Sequence, residues 1–379
     1  MLIFDTVLLF LGLFYFLRFK SILLKLICFI VWYPCLVLFL FKFDVPLPGI
    51  LFIRREELGG EIADSGFYSY LVGSSIFYWM LSSVGNREFS FRSIRMTKLS
   101  ILIMVLFCAL SSIPLLNIHS GEEGAFKSAT LYICMSVFLI ILHRGRGISW
   151  FCQFIIIVFL FLNGERVDSI VLVLMLILFS GTDVVSPRYS KSLIFIGGGI
   201  IFFLLVCIGF YREGSSVTFE VLLSSIYSQR TVCDVVYIYL TAVSYYLENG
   251  PAPEVLLNLF GGLIPGPTMG TGSPYNFTYF LNHNYMSNPG GGLFCSEAYL
   301  ALGFLGTPIY FFFYGYLIRK LFDGKLDYTK YIFLLFLSMQ CRIIWYGFIY
   351  IYKPFVIFSV FYFMLRYMRT KNNSLLIND

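Results

Sequence analysis

Long stretches of this chain contain only apolar residues and glycine, as in residues 101–110 and 193–210. A helix at the surface of a soluble domain has one polar face, whereas a helix that is apolar on all sides lies in lipid or in a fully buried core. The composition agrees, because 59% of the 379 residues are apolar and only 13% are charged, against about 25% in soluble domains. These features predict an integral membrane protein and exclude a water-soluble globular domain.

Apolar runs close to the ~17–25 residues that cross the hydrocarbon layer predict about eleven transmembrane helices, within a range of 10–12. The predicted spans are 2–17, 22–41, 67–84, 99–117, 127–142, 148–163, 167–181, 192–211, 296–318, 330–349 and 352–366. The expected fold class is therefore all-α, a polytopic integral membrane protein in which residues 1–379 form a single membrane domain. One alternative stays open: 148–181 also fits a single tilted helix, which would reverse the side of every later loop.

Basic residues orient the predicted helices, because Lys and Arg concentrate in loops that stay in the cytoplasm. Loops on one side, together with the C-terminal tail, hold 18 of the 27 Lys and Arg residues, and the alternate loops hold eight. This asymmetry predicts that the N-terminus lies outside and the C-terminus inside. The net charge of +6 then belongs to the inner face, next to anionic lipid headgroups, and does not indicate nucleic-acid binding.

Two outer segments are long enough to carry structure. Residues 42–66 have mixed charge and no apolar periodicity, which favours a solvated loop. Residues 212–295, between predicted spans 8 and 9, are too long for a simple connector. Their part 217–247 lacks Pro and Gly and predicts a helix broken near Arg230 and partly embedded in the membrane interface. From Gly250 onward, Pro and Gly predict an irregular cap with one short helix.

The large loop ends in the sequence GGLFCSEAYLALGFLG, residues 291–306, which passes from a glycine-rich turn through an acidic residue and a tyrosine into the next span. This stretch, after a long outer loop with an arginine near its start, resembles the O-antigen polymerase (Wzy) family of bacterial polysaccharide assembly. The resemblance implies a GT-C-like polymerase or ligase architecture in the bacterial inner membrane. On that basis 212–295 is a large periplasmic loop, the N-terminus is periplasmic and the C-terminus is cytoplasmic.

The same resemblance implies an activity. The family members are metal-independent glycosyltransferases without a cofactor. They polymerise repeat units of O-antigen, or of a similar surface polysaccharide, that are linked to undecaprenyl diphosphate. The implied partners are the lipid-linked oligosaccharide, the lipid bilayer and a chain-length regulator protein.

Such a transfer needs cations that stabilise the departing diphosphate, and arginine suits this task because its planar guanidinium binds phosphate oxygens in pairs. The arginines on or near the predicted outer side are Arg166, Arg212, Arg230 and Arg342. Arg342 lies seven residues inside span 330–349, or ~10 Å below its outer end. A charge at that depth is costly unless it faces a partner or a cavity. Structural alternatives are local ion pairs for Arg166 and Arg230, an interfacial anchor for Arg212, and a side chain that reaches the headgroups for Arg342.

The transfer also needs a base that takes the proton of the acceptor hydroxyl. Glu297 and His283 are the candidates, with Asp234 behind them. Glu297 at the first turn of a helix also has a structural explanation, because carboxylates interact favourably with the helix dipole there. His283 is alternatively an ordinary exposed loop residue.

Three further alternatives concern metal, thiols and function class. The three histidines, His119, His143 and His283, lie in different loops, so no metal site is expected. Cys233 and Cys295 share the large loop, where they either pair or remain buried thiols. A flippase for the same lipid-linked unit predicts several charges inside the spans and repeated halves, whereas Arg342 is the one deep charge and no repeat is visible. An O-antigen ligase shares the leaving group and is not separated by sequence.

Overall fold

The computed structural model describes residues 2–92, 129–142, 153–157, 172–173, 230–261, 275–288, 291–347 and 349–375. The α-helices in these ranges are α1 (Leu2–Arg18), α2 (Ile22–Lys42), α3 (Ile50–Ile53), α4 (Arg55–Leu58), α5 (Glu61–Ser82), α6 (Ala129–Leu142), α7 (Arg230–Asn249), α8 (Leu257–Gly261), α9 (Phe277–Asn284), α10 (Ser296–Leu302), α11 (Gly306–Phe322), α12 (Asp327–Ser338), α13 (Gln340–Tyr346) and α14 (Ile349–Leu375). Short 3-10 turns span Pro253–Leu256 and Gly303–Leu305. The described residues form no β-strand, so the all-α class is confirmed for them.

Two helical stretches in the described ranges are long and apolar enough to cross a membrane. One is α2, and the other is Ser296–Phe322, which α10, the second 3-10 turn and α11 form together. These stretches are compatible with membrane association. The number of eleven spans stays a prediction, because spans 99–117 and 192–211 fall outside the described residues and 148–181 falls largely outside them.

Several helices expose a continuous apolar face. On α1 the exposed side chains recur every three or four residues, while Leu9 on the other face is buried and its carbonyl accepts a hydrogen bond from Nε1 of Trp32 at 3.1 Å. The exposed apolar side chains on three of these helices are Phe4, Val7, Phe10, Phe14, Ile309, Phe312, Phe313, Val356, Val360 and Phe363. Soluble monomers rarely expose such large apolar patches.

Helices α5 and α11 form the tightest pair in the described core. Gly73 of α5 lies directly against the Phe311 ring, where an added Cβ atom would be 2.4 Å from Cδ2. One turn earlier, Oγ of Ser69 donates to the Phe304 carbonyl at 2.7 Å. Small residues let helix backbones approach closely, as they do in membrane bundles.

The predicted interfacial position of 217–247 is wrong for its described part. Helix α7 packs against α2, α5 and α10, and the side chains of residues 232–244 are buried apart from half-buried Asp234. The tyrosine hydroxyls that suit a headgroup region are satisfied inside the protein instead: Oη of Tyr239 bonds to the Gly66 carbonyl and the Thr307 hydroxyl, each at 3.2 Å. Arg230 is the first described residue of α7, so the expected break before it lies outside the described residues.

Two other boundaries differ from the prediction. The segment 42–66 is not simply a solvated loop, because α3 and α4 form in it, Leu58 is buried, and α5 already begins at Glu61. The predicted span 330–349 is interrupted at Met339 and becomes α12 and α13. Hydropathy averages over such a break, and neither Pro nor Gly marks it in the sequence.

Loops that are predicted to share a side of the membrane lie together. At one end of α5, the Lys20 amide donates to the Gly85 carbonyl at 2.8 Å, and Arg87 forms an ion pair with Asp323 at 2.6 Å. At the other end, the hydroxyls of Ser65 and Tyr299 are 2.7 Å apart. These contacts bring parts of the loops 18–25, 85–98 and 319–330 to one end of α5, and which end faces the periplasm stays a prediction.

Candidate functional site

Glu297 is buried in the first turn of α10, with 2% of its surface exposed. Its predicted helix-start position is confirmed, and its side chain lies inside the protein. Helices α7 and α11 and the turn Pro253–Leu256 pack around α10, and they cover residues 296–301 completely. Oη of Tyr310 on α11 donates to Oε1 of Glu297 at 3.2 Å. A buried carboxyl group is costly unless it is hydrogen-bonded, and Tyr310 provides such a bond.

The chain just before Glu297 is joined to the end of α13 by its backbone. The amides of Gly292 and Phe294 donate to the carbonyls of Trp345 at 2.8 Å and Ile344 at 2.9 Å. The last carbonyls of a helix have no partner within that helix, so residues 291–295 satisfy them from outside. Gly292 has φ +132° and lies against the Phe277 ring, where an added Cβ atom would be 2.6 Å from Cε2, so only glycine fits.

This pairing places the residues just before the helix of Glu297 against the end of the helix of Arg342. Arg342 is the third residue of α13, two positions before the carbonyl that Phe294 binds. It is half-buried and interacts with other residues of the protein. Glu297 and Arg342 therefore lie on two short helices, α10 and α13, that are linked through residues 292–294. Each of these helices is separated by a break from the longer helix next to it in the chain.

His283 lies apart from this pair on the surface of the cap. It is exposed in the last turn of α9, and its ring stacks on that of Tyr279 with a centroid distance of 5.8 Å and an angle of 13°. None of the contacts described for His283 reaches Glu297. The exposed-residue alternative accounts for this placement, although the residue belongs to a helix and not to a loop.

The remaining arginines are only partly placed. Arg166 and Arg212 lie outside the described residues. Arg230 begins α7, and nothing is described of its side chain. Asp234, one turn further, is half-buried and interacts within the protein.

Part of the cap after Gly250 is held firmly on α7. Oη of Tyr237 donates to the Ser287 carbonyl at 3.2 Å, and the hydroxyls of Ser244 and Tyr285 are 2.7 Å apart. Burial, the largest effect on this group, raises the pKa of the Tyr285 hydroxyl, so it keeps its proton at neutral pH. Asn276 caps the start of α9, where its side chain accepts bonds from the amides of Thr278 and Tyr279. Short helices that are anchored in this way replace the single helix expected.

A buried charge cluster escaped the sequence reasoning. Nζ of Lys42 lies 2.8 Å from Oδ2 of Asp5 and 3.1 Å from Oδ1 of Asp64, and it donates to Oη of Tyr68 at 2.8 Å. The Tyr68 hydroxyl in turn donates to Oδ1 of Asp5 at 3.0 Å. The side chains of Lys42 and Asp5 are 3% and 0% exposed. The expectation that Arg342 is the one deep charge is therefore wrong.

Two tyrosines and a glutamine near Glu297 were also missed. Tyr310 and Tyr314 are one turn apart on α11, and Oη of Tyr314 donates to Oε1 of Gln340, the first residue of α13, at 2.5 Å. With 20% aromatic residues in the chain, two more tyrosines do not stand out. Gln340 gave a usable signal, since it is a lone amide in the apolar run FLSMQCRIIWYGF.

Within the described ranges, no group of three or more His, Cys, Asp and Glu side chains is placed to hold a metal ion. Cys233 and Cys295 are both buried free thiols, which settles the alternative between pairing and free thiols.

Comparison of the chain with known proteins found no matching family profile, no matching curated protein and no matching solved structure.

Proposed function

We propose that this chain is a polytopic inner-membrane glycosyltransferase that polymerises undecaprenyl-diphosphate-linked repeat units of O-antigen or a similar surface polysaccharide at the periplasmic face. The observation that carries the proposal is the backbone pairing of Gly292 and Phe294, just before α10, with the end of α13. This pairing links the helix of a buried carboxyl group, Glu297, to the helix of an arginine, Arg342. Glu297 comes from the stretch 291–306, whose sequence resembles that of the polymerases.

The exterior of the protein supports the membrane part of the proposal. Helices α1, α11 and α14 expose aliphatic and aromatic faces, and α2 and Ser296–Phe322 are long enough to span the hydrocarbon layer. Irregular backbone at membrane depth is tolerated only where protein covers it. The break between α12 and α13 meets this condition, because Met339 and its neighbours are buried.

The proposed chemistry uses few groups. The acceptor hydroxyl oxygen attacks the anomeric carbon of the growing glycan, and the bond from that carbon to the diphosphate oxygen breaks. The diphosphate leaves with the bonding electron pair, and Glu297 takes the hydroxyl proton. Arg342, with Arg166, Arg212 and Arg230, stabilises the charge on the departing diphosphate. The cover over Glu297 keeps bulk water away from the donor, which limits hydrolysis of the donor once substrate has entered.

The experiment is single replacement of the proposed residues, followed by measurement of surface-polysaccharide length. Glu297→Gln is the sharpest variant, since the amide oxygen still accepts the bond from Tyr310 while the base is lost. The matched control is Glu254→Gln, an exposed position near α10. Arg342→Gln is compared with Arg92→Gln, which is exposed. Arg166, Arg212, Arg230 and His283 are replaced in the same way. Normal chain-length ladders in all six variants, at normal protein levels, would refute the site.

A second candidate is a flippase for the same lipid-linked unit. The buried pair of Asp5 and Lys42, with Asp64 at its exposed edge, favours it, because charges inside membrane proteins often mark transport pathways. Deletion of the gene separates the possibilities. Loss of a polymerase leaves one repeat unit on the lipid A core, loss of a ligase leaves none, and loss of a flippase strands the units on the inner leaflet.

A further inference from the structure

Gln340 stands where the predicted span 330–349 is interrupted. Helix α12 ends at Ser338, and α13 begins at Gln340. The residue is completely buried, with 0% exposure. A long polar side chain at such a position needs a hydrogen-bond partner at each end of its amide.

Only one end of the amide has a partner. Oε1 accepts the short bond from Tyr314, while Nε2 has no hydrogen-bond partner among the described residues. If the amide is turned over, Nε2 donates to Tyr314 and Oε1 is left without a partner, so one polar atom remains unsatisfied in either orientation. Buried polar groups in native proteins are nearly always satisfied, so each exception needs a specific explanation, such as a functional role.

The unsatisfied amide is linked to Glu297 through one face of α11. Tyr310 binds Glu297 and Tyr314 binds Gln340, and the two tyrosines are spaced so that their side chains lie on the same side of the helix. The Phe294 ring packs on both, with centroid distances of 6.4 Å and 5.4 Å. Gln340 is also two residues before Arg342 on the same short helix. The amide therefore belongs to the region of both proposed site residues.

We infer that the free end of the Gln340 amide binds an oxygen atom of the lipid-linked saccharide, as a hydrogen-bond donor in the site that contains Glu297. This inference rests on the proposed function and adds a substrate-binding residue to it. The oxygen belongs either to a sugar hydroxyl or to the diphosphate, and both accept a hydrogen bond from an amide N–H. Replacement of Gln340 should weaken substrate binding without lowering stability through Nε2, because Nε2 makes no hydrogen bond within the protein that could be lost.

The test uses the full-length purified protein and three variants. Gln340→Met keeps the length of the side chain and removes the amide. Gln340→Met alone leaves the buried Tyr314 hydroxyl without its hydrogen-bond partner, which could destabilise the protein. The double variant Tyr314→Phe/Gln340→Met removes both partners of that bond and so avoids this effect. Gln153→Met is the control, because Gln153 is also buried with an unsatisfied amide oxygen and has no place in the proposed site. The measurements are the thermal unfolding midpoint, binding of a lipid-linked repeat unit, binding of sugar-free undecaprenyl diphosphate, and polymer formation.

We expect the single or the double Gln340 variant to unfold at or above the wild-type temperature, while it binds the repeat unit about tenfold or more weakly, as loss of one good hydrogen bond implies. The Gln153 variant should bind and polymerise as wild type does. If the Gln340 variant also binds sugar-free undecaprenyl diphosphate more weakly, the oxygen atom belongs to the diphosphate. If binding of that probe is unchanged, the oxygen atom belongs to the sugar. A folded Gln340 variant with wild-type binding and turnover overturns the inference. A wild-type protein that neither binds the repeat unit nor extends it overturns the proposed function instead.

Discussion

Replacement of Lys42 by methionine should destabilise the packing of α1, α2 and α5 around Asp5 far more than loss of a surface charge would. The substitution leaves Asp5 fully buried with one remaining donor, Tyr68. Removal of one partner from a buried pair typically costs about 3–5 kcal/mol, because the other charge is left uncompensated. Asp64 accounts for little of this loss of stability, because it is 41% exposed and water can replace its contact with Lys42.

The series Lys42→Met, Asp64→Asn and Asp5→Leu/Lys42→Met tests this reasoning through the free energy of unfolding in mixed-micelle titrations. Asp64→Asn should lose less than about 1 kcal/mol. The double variant should recover most of the lost free energy of unfolding, because two apolar side chains of similar volume leave no buried charge without a partner. Lys325→Met, at an exposed position, serves as the control and should change little. The reasoning is refuted if Lys42→Met loses less than about 1 kcal/mol, or if the double variant is as unstable as the single one.

Three other features allow direct tests. Gly73→Val should lower the free energy of unfolding by about 1–3 kcal/mol, because the added side chain overpacks α5 against Phe311. Thermal unfolding measures this loss, and unchanged stability would contradict the close packing. Asn276→Ala should lower stability by about 0.5–2 kcal/mol through loss of the α9 cap, whereas Asn276→Asp keeps an acceptor and should lose less. Cys233 and Cys295 should resist a maleimide reagent in the folded protein and react after unfolding without reductant; a need for reductant would show that they pair.

The features that sequence predicted well are those that depend on local composition. The starts and ends of α1 and α2 fall within one residue of the predicted spans, because charged residues bound each apolar run. The helix start at Ser296 was also predicted, since a glycine-rich stretch precedes it.

Features that depend on contacts between distant segments could not be read from sequence. Lys42 ends one span and Asp5 lies in another, so neither position shows that they meet. The aromatic residues of α7 suit a membrane interface and a protein core equally well, and only the packing of α2, α5 and α10 around α7 decides between them. Glu297 was placed correctly along the chain, but its burial depends on α11 and on residues 253–256. Placement of Arg166 and Arg212 in the site stays a prediction.

The charge cluster at Lys42 also has a consequence for the order in which the protein is made. Ribosomes synthesise the chain from its N-terminus, so Asp5 leaves the ribosome before Lys42 and well before Asp64 and Tyr68. Helix α1 therefore carries an unpaired carboxylate until α2 has been translated, and the cluster closes only when the first turns of α5 follow. Biogenesis of this protein thus includes an interval in which α1 is not yet anchored by this cluster, and that interval ends only after Asp64 and Tyr68 have been synthesised.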